Sequence, residues 1–208
     1  MNYLLITYVL SIMLILLFSL AYPLELYPIK RELEEKAIAL DYLAVANALS
    51  LVSKQASEND LAPGSLCDLF NDTLMDEMEV MREYSDFEGS VLNFTCSWNG
   101  SSAYARVFFN HPWGTEVITV FLSARIEVIR KVPSSLTAHR LVIAKVELLS
   151  DRPVDVSFYS EELYVLNVHP LPDQTYLLRL FTRSEGDIRL YIIDERGITL
   201  VVTINGNP

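Results

Sequence analysis

The stretch YLLITYVLSIMLILLFSLAY, residues 3–22, decides how the rest of the chain is interpreted. It carries no charged side chain, and its apolar residues lie on every face of the helix that they predict. At about 1.5 Å per residue, roughly 20 residues cover the ~30 Å hydrocarbon core of a bilayer. We therefore predict a transmembrane anchor over residues 1–22, in contact with membrane lipid through residues 3–22.

A removable signal peptide is the alternative interpretation of this stretch. Ser19, Leu20 and Ala21 place small residues where a signal peptidase would cut. Against cleavage, no Lys or Arg precedes the apolar run, the run exceeds the usual core of about 7–15 residues, and Pro23 crowds the cut site. These features favour a retained anchor.

Two signals disagree about the side of the membrane on which the rest of the chain lies. Lys30, Arg31 and Lys36 follow the anchor and nothing basic precedes it, which favours a cytoplasmic domain, although large domains often ignore this bias. A cysteine pair and three candidate glycosylation sequons favour the outside; the sequons begin at Asn71, Asn93 and Asn99. We predict a single-pass membrane protein with an extracytoplasmic C-terminal domain.

The composition excludes some classes of partner. The 208 residues contain 16 Lys and Arg against 27 Asp and Glu, a formal net charge of −11. Nucleic-acid binding needs clustered basic residues, so no nucleic-acid partner is expected. The hydrophobic fraction of 51% leaves ample material for a core beyond the anchor.

The two cysteines, Cys67 and Cys96, allow one internal pairing, and a disulfide is the favoured interpretation. Two buried thiols or a metal site are the alternatives. A metal site would need further ligands, but His111, His139 and His169 have no cysteine or histidine close by in sequence. We therefore expect no metal and no cofactor.

A second, amphipathic helix is predicted from Pro28 to Lys54, within a helical stalk over residues 23–56. Pro23 and Pro28 should end or kink the anchor, because proline cannot donate a helical hydrogen bond. A helix this apolar must pack on its own domain, on a sister subunit or on a partner. We predict that it mediates association with a protein partner or in a homo-oligomer through one stripe: Ile29, Leu33, Ala37, Leu40, Ala44, Ala48 and Leu51.

Few polar side chains interrupt this helix between Ala37 and Val52: Asp41, Tyr42, Asn47 and Ser50. Asp41 projects towards Ala37, Ile38, Ala44 and Val45, so a buried carboxylate is possible and would then demand a cation or a donor. The favoured interpretation is that this edge of the helix faces water near Glu34.

The rest of the chain predicts an α+β fold. Residues 57–89 should form a helical, disulfide-tethered segment, with Ser65 and Asp68 as a capping signal. From residue 90 to 208 the hydrophobic period is two, which predicts eight or nine strands in a predominantly antiparallel β-sandwich. In the first strand the inward side chains should be Leu92, Phe94, Cys96 and Trp98, with Asn93 outward.

The stretch from Leu171 to Tyr176, LPDQTY, followed by Leu178 and Leu180, resembles the turn and strand of the tyrosine corner in immunoglobulin-like and fibronectin type III domains. The resemblance implies an immunoglobulin-like sandwich. It implies no activity.

No catalytic motif is present in the sequence, so we predict a protein that is not an enzyme. It has no Gly-rich phosphate loop, paired-histidine metal motif or Gly-x-Ser-x-Gly elbow. A cell-surface binding module is the alternative function: the loops around His111-Pro112-Trp113 or His169-Pro170 would then recognise carbohydrate or a protein partner.

The whole layout resembles archaeal type IV pilin-like and archaellum-associated proteins. These combine an apolar N-terminal helix, an Ala-rich continuation and a C-terminal β domain. The resemblance implies a membrane-anchored subunit whose first helix can enter a filament core while the β domain faces outwards. The basic residue and glycine of a prepilin cleavage signal are absent before the apolar run. We therefore predict a structural or interaction protein, an accessory or minor subunit of a pilin-like surface assembly.

Overall fold

A computed structural model describes residues 2–59, 63–84, 89–133, 140–182 and 186–205. In these ranges the chain is α+β, with two helices followed by nine strands, in agreement with the predicted fold class. The helices are α1 (Asn2–Glu58) and α2 (Pro63–Tyr84). The strands are β1 (Ser90–Trp98), β2 (Ser102–His111), β3 (Gly114–Pro133), β4 (Arg140–Ser150), β5 (Val156–Tyr159), β6 (Leu163–Leu171), β7 (Thr175–Thr182), β8 (Ile188–Asp194) and β9 (Thr199–Ile204).

The chain divides into two compact units, Met1–Leu40 and Asp41–Pro208. The first unit is the N-terminal part of α1, which continues through Pro23 and Pro28, so of the two predicted effects of these prolines the helix does not end at them. A proline removes one helical hydrogen bond, and a long helix keeps its remaining ones. Beyond the prolines, ion pairs four residues apart join exposed side chains: Lys30–Glu34, Arg31–Glu35 and Glu32–Lys36.

Among the described residues, Lys30–Glu58 is the helical stretch that is long and apolar enough to cross a membrane by length and composition. Half of its most apolar window is buried within the protein, as in the core helix of a soluble domain. An apolar helix near the N-terminus also has the properties of a signal sequence. The side chains of residues 2–10 and 15–29 lie outside the described part of the chain.

The second unit contains two antiparallel sheets in its described ranges. The larger sheet has the order β1-β2-β3-β4-β7-β6, in which the first four strands follow one another as a meander. The smaller sheet has the order β5-β8-β9. Strand β9 lies against β3 and β2, and α2 lies against β1. One face of the larger sheet is therefore covered partly by α2 and partly by the smaller sheet.

The residues of α1 from Asp41 to Glu58 belong to this second unit. Ala44, Val45, Ala48, Leu49 and Val52 are buried there, so the helix packs on its own domain, which is one of the three predicted alternatives.

The residues of the predicted association stripe differ in burial. Ala37, Ala44 and Ala48 are buried and Leu40 is half-buried, while Leu33 and Leu51 are exposed; the side chain of Ile29 lies outside the described part. The three buried alanines are therefore not available to a partner.

Helix α2 is fastened to β1 by a disulfide between Cys67 and Cys96, as predicted. The bond closes a loop of 29 residues, which in the chain-entropy model contributes roughly 3–4 kcal/mol of stability. Beside it the rings of Phe70 and Phe94 lie 5.6 Å apart. The apolar face of α2 is buried as its periodicity indicates: Leu66, Phe70, Leu74, Met78 and Met81.

Strand β1 departs from the predicted alternation at Leu92. The register with β2 shifts between Val91 and Asn93, and Leu92 is 58% exposed. A β-bulge adds one residue to the strand, so the inward position moves from Leu92 to Val91, which pairs with the buried Phe109. The predicted inward orientation of Leu92 is therefore wrong, whereas Asn93 is exposed as predicted.

Candidate functional site

Two polar clusters lie where α1 meets the strands, and both begin at adjacent residues of that helix. Tyr42 enters a cluster centred on Arg196, and Asp41 meets His111. Farther along the helix, Asn47 donates a hydrogen bond to Glu77 of α2, at 3.1 Å. The polar side chains that interrupt the apolar helix are therefore internal contacts of the domain.

The first cluster surrounds the guanidinium of Arg196, in the turn between β8 and β9. Its Nη1 donates to Asp151 Oδ1 at 2.7 Å, and its Nε donates to Asp194 Oδ2 at 2.7 Å. Its Nη2 donates to the backbone oxygen of Phe121 in β3, at 3.2 Å. The Arg196 side chain is only 4% exposed, so these partners replace water around a buried cation.

Tyr42 closes this cluster from the helix side. Its hydroxyl donates to Asp151 Oδ2 at 2.7 Å and accepts a hydrogen bond from Arg196 Nη1 at 2.9 Å. The other oxygen of Asp151 accepts the backbone N–H of Phe121, at 2.9 Å. The cluster thus joins α1, β3, the segment after β4 and the β8–β9 turn.

The pKa shifts of Arg196 and Asp151 favour the charged forms of both side chains. Burial opposes the charge on Arg196, but hydrogen bonds to Asp151 and Asp194 raise its pKa above the ordinary value. Burial also opposes the charge on Asp151, and by itself this effect would raise the pKa of the Asp151 carboxyl group. Hydrogen bonds from Arg196, the Phe121 amide and Tyr42 outweigh this effect, and the pKa of Asp151 is lowered. Arg196 is therefore a cation between two carboxylates at neutral pH.

The second cluster is a closed acid–base pair. Asp41 Oδ2 lies 2.8 Å from His111 Nε2, and both side chains are fully buried. His111 ends β2, and its ring stacks on Trp113 with the centroids 4.5 Å apart. The prediction that the Asp41 edge of the helix faces water is wrong, because the phase that buries Ala44 and Val45 also turns Asp41 inwards.

Protonation of Asp41 explains how the domain can bury this pair. Desolvation, and then the charge of Glu116, raise the pKa of Asp41 to about 7. Desolvation lowers the pKa of His111, and the charge of Glu116 partly opposes this shift. At pH values below about 7, Asp41 therefore favours its protonated form, and burial favours the neutral form of His111. A protonated Asp41 would then donate its hydrogen to His111 Nε2, which avoids a buried, uncompensated charge.

The geometry of the pair suits internal structure better than reaction chemistry. Since neither side chain reaches the surface, a substrate would have to open the domain to meet it. Within the described ranges, no group of three or more His, Cys, Asp or Glu side chains could hold a metal ion.

The candidate glycosylation sites lie at or near one edge of the larger sheet. Asn93 is exposed on β1, which is an edge strand, and Asn99 is exposed in the turn that follows. Asn71 is half-buried on α2, the helix that packs on β1. The hydroxyl of Thr73, in the same sequon, donates back to the oxygen of Leu69, at 2.8 Å.

The aromatic loops and the tyrosine-corner stretch lie in separate places. Trp113 is 39% exposed in the turn between β2 and β3. His169 is exposed on β6, and His139 lies outside the described residues. Tyr176 packs edge-on against Phe158, with the ring centroids 5.3 Å apart. Of the histidines that the structure describes, His111 is therefore buried beside the helix and His169 lies on an open strand, and they do not share a site.

Sequence patterns do not predict the Arg196 cluster. The available signal was the small set of polar residues in the helix, since a buried Tyr42 or Asp41 needs a hydrogen-bonding partner. That signal indicates that partners exist. It does not indicate that they lie 109 and 154 residues away from Tyr42.

Comparison of the chain with protein-family models and with curated protein sequences gives no match.

The Arg196 cluster predicts a large loss of stability when its cation is removed. Arg196→Met should lower the free energy of unfolding by about 3–5 kcal/mol, because Asp151 and Asp194 would remain buried without a counter-ion. Lys145→Met is the control, since Lys145 and Glu147 form a solvent-screened surface pair whose loss should cost far less stability. Urea unfolding of the full chain in detergent measures both. Equal losses in the two variants would contradict a structural role for the cluster.

The Asp41–His111 pair predicts a pH-dependent effect of Asp41→Asn. Because the folded-state pKa of Asp41 is about 7 against an ordinary 3.8, the wild type loses stability as the pH rises through this interval. The Asp41→Asn variant has no carboxyl group at this position and does not share this loss. Its advantage should be absent near pH 4 and should grow to on the order of 4 kcal/mol by pH 8, from about 1.36 kcal/mol per pKa unit.

Unfolding of both proteins between pH 4 and pH 8 measures this difference. Asp68→Asn, at an exposed position on α2, is the control and should show no such trend. If the difference between the wild type and the Asp41→Asn variant is constant across this range, Asp41 does not hold its proton as described.

Proposed function

We propose that this chain is a non-enzymatic, membrane-anchored extracytoplasmic protein that acts through association with other proteins. A role as an accessory or minor subunit of a pilin-like surface assembly agrees best with its architecture. The observation that carries the proposal is one helix, Asn2–Glu58, that begins with an uncharged apolar stretch and ends inside a disulfide-bonded β domain.

The membrane-crossing segment in this proposal is residues 3–22 and not the later part of the helix. Between Lys30 and Lys36 every side chain except Leu33 is charged, which is costly in hydrocarbon. From Asp41 onwards the helix packs within the folded domain, and lipid cannot occupy the same surface.

An extracytoplasmic location is supported by the disulfide and by the position of the sequons. Disulfides persist in oxidising compartments and are rare in the cytosol. Asn93 and Asn99 are exposed, so a glycan could be attached without unfolding the domain. The two facing sheets would form the displayed body, an immunoglobulin-like sandwich in this proposal.

Association through α1 would use its exposed leucines. Leu43 and Leu51 are 48% and 47% exposed, whereas Ala44 and Ala48 of the same helical stretch are buried. In the archaeal families that the layout resembles, the N-terminal helix anchors the subunit in the membrane and can enter a filament core. Contact with other subunits through these leucines is the corresponding role proposed here.

A second candidate function is a surface binding module, and the turn at Trp113 favours it. One face of the indole stacks on His111, which holds the ring in place, while 39% of the residue stays exposed. Rigid aromatic faces of this kind are common in recognition sites. In a glycan or partner screen, binding that is abolished by Trp113→Ala would favour this function over assembly.

The proposed topology predicts that protease added to intact cells degrades the β domain. A cytoplasmic protein in the same cells is the control and should be cleaved only after lysis. Immunodetection of residues 41–208 before and after lysis measures the difference. If the domain is protected until lysis, it lies on the cytoplasmic side and the proposal fails.

The proposed association predicts that charges on the outer face of α1 weaken self-assembly or partner binding. Leu43→Glu with Leu51→Glu should weaken it at least tenfold, because carboxylates would replace apolar contact area. Leu149→Glu is the control, since Leu149 is 67% exposed on β4. Light scattering of the full chain in detergent, together with cross-linking in membranes, measures the assembly. An effect no larger than that of the control would contradict the role of this face.

A further inference from the structure

The larger sheet ends in an open strand whose side chains are unusually exposed. β6 is the last strand in its order, and in the described ranges no other strand pairs with its outer edge. The strand LYVLNVHPL has no charged residue. Three of its apolar side chains are well exposed, with Tyr164 at 65%, Leu166 at 58% and Val168 at 36%.

Natural proteins usually protect such an edge with charge, proline or a bulge. β6 has a bulge where its register with β7 shifts between Val165 and Asn167, but the extra residue is the apolar Leu166. Pro170 limits pairing only near the end of the strand. The outer edge from residue 163 to 169 therefore keeps its unpaired backbone groups and an apolar surface.

The two edge strands of this sheet, β1 and β6, differ in their candidate glycosylation sites, and this difference favours one kind of partner. β1, at the opposite edge, carries the sequon of Asn93, and Asn99 and Asn71 lie close to it. β6 carries no sequon. A glycan at Asn93 would obstruct a head-to-tail contact of β1 with β6 of another copy. Such a glycan would not obstruct pairing between the β6 strands of two copies. This contact gives a closed dimer with two-fold symmetry.

The register of β6 is compatible with pairing to itself. Val165 and Val168 lie opposite Leu180 and Leu178, which are buried, so the two valines share the inner face of the sheet.

The residues on the outer face of β6 can also lie opposite each other when the strand pairs with itself. Tyr164 and His169 lie opposite Phe181 and Leu177, so they share the outer face. A two-fold axis between Leu166 and Asn167 would place the residues on either side of the bulge opposite residues on their own face. Val165 would pair with Val168, and Tyr164 with His169, with no like charges meeting.

From this geometry we infer that β6 is a homodimerisation edge, at which two copies of the chain join their six-stranded sheets by antiparallel β6–β6 pairing. The occupant of the edge is a second copy, because the residues that flank the bulge match in face when the strand pairs with itself, and the strand has no charged residue that would repel a copy. This surface is separate from the leucines of α1, so either interface can exist without the other.

Engineered cysteines in the full chain test the register. In the proposed dimer the two copies of residue 166 lie on either side of the axis, with Cα atoms about 6 Å apart, within disulfide range. Leu166→Cys should therefore give a disulfide-linked dimer under mild oxidation, confirmed by peptide mapping. His169→Cys is the matched control on the same strand, because its two copies would be roughly 17 Å apart, five residues along the ladder. Thr95→Cys tests the β1 edge, where the residue is also exposed.

The expected result is a covalent dimer for Leu166→Cys and not for the other two variants. Leu166→Lys should lower the mass of the noncovalent assembly in detergent, and Leu149→Lys, similarly exposed on β4, should not. The Leu166→Cys link should persist when Leu43→Glu and Leu51→Glu are added, which separates this edge from the helix contact. A monomeric Leu166→Cys variant would overturn the inference, as would equal cross-linking of all three cysteine variants.

Discussion

The buried cation of Arg196 is the constraint on which the described domain depends. A guanidinium that is 4% exposed is stable only if its donors are satisfied, and here two carboxylates and a backbone oxygen satisfy them. Those groups come from the β8–β9 turn, the segment after β4, and β3. Tyr42 adds the helix to the same cluster. Because a shift of any one element would leave a buried charge unpaired, the cluster fixes where the helix crosses the strands.

The position of Asp41 follows from that constraint. Its neighbour Tyr42 points towards Arg196, and the helical phase then turns Asp41 towards the end of β2. A carboxylate in that place can lose its charge by binding a proton, and the adjacent imidazole can accept the resulting hydrogen bond. The contrast between the clusters is chemical: burial acts to raise the pKa of both carboxyl groups, and at Asp151 the hydrogen bonds from Arg196, the Phe121 amide and Tyr42 outweigh it, whereas the pKa of Asp41 stays raised.

The same packing decides which surfaces are left for other molecules. Ala44 and Ala48 of α1 are buried inside the domain, while Leu43 and Leu51 of the same helix are exposed. At the sheet, sequons gather around β1 while β6 stays open and apolar. The domain therefore has one edge suited to modification and one suited to contact.

Local patterns were sufficient to predict much of this protein, and long-range contacts decided the rest. Residue periodicity of about four and of two predicted the helices, the antiparallel strands and the inward face of α2, because these depend on neighbouring residues. The Cys67–Cys96 disulfide was predictable because only one pairing exists. The burial of Asp41 and the Arg196 cluster were not predictable, since they join the helix to strands and turns that are far away in sequence. The bulge at Leu92 and the open edge at β6 were likewise decided by the tertiary structure. Register and strand order depend on which segments pair in space, and a one-dimensional pattern does not contain that information.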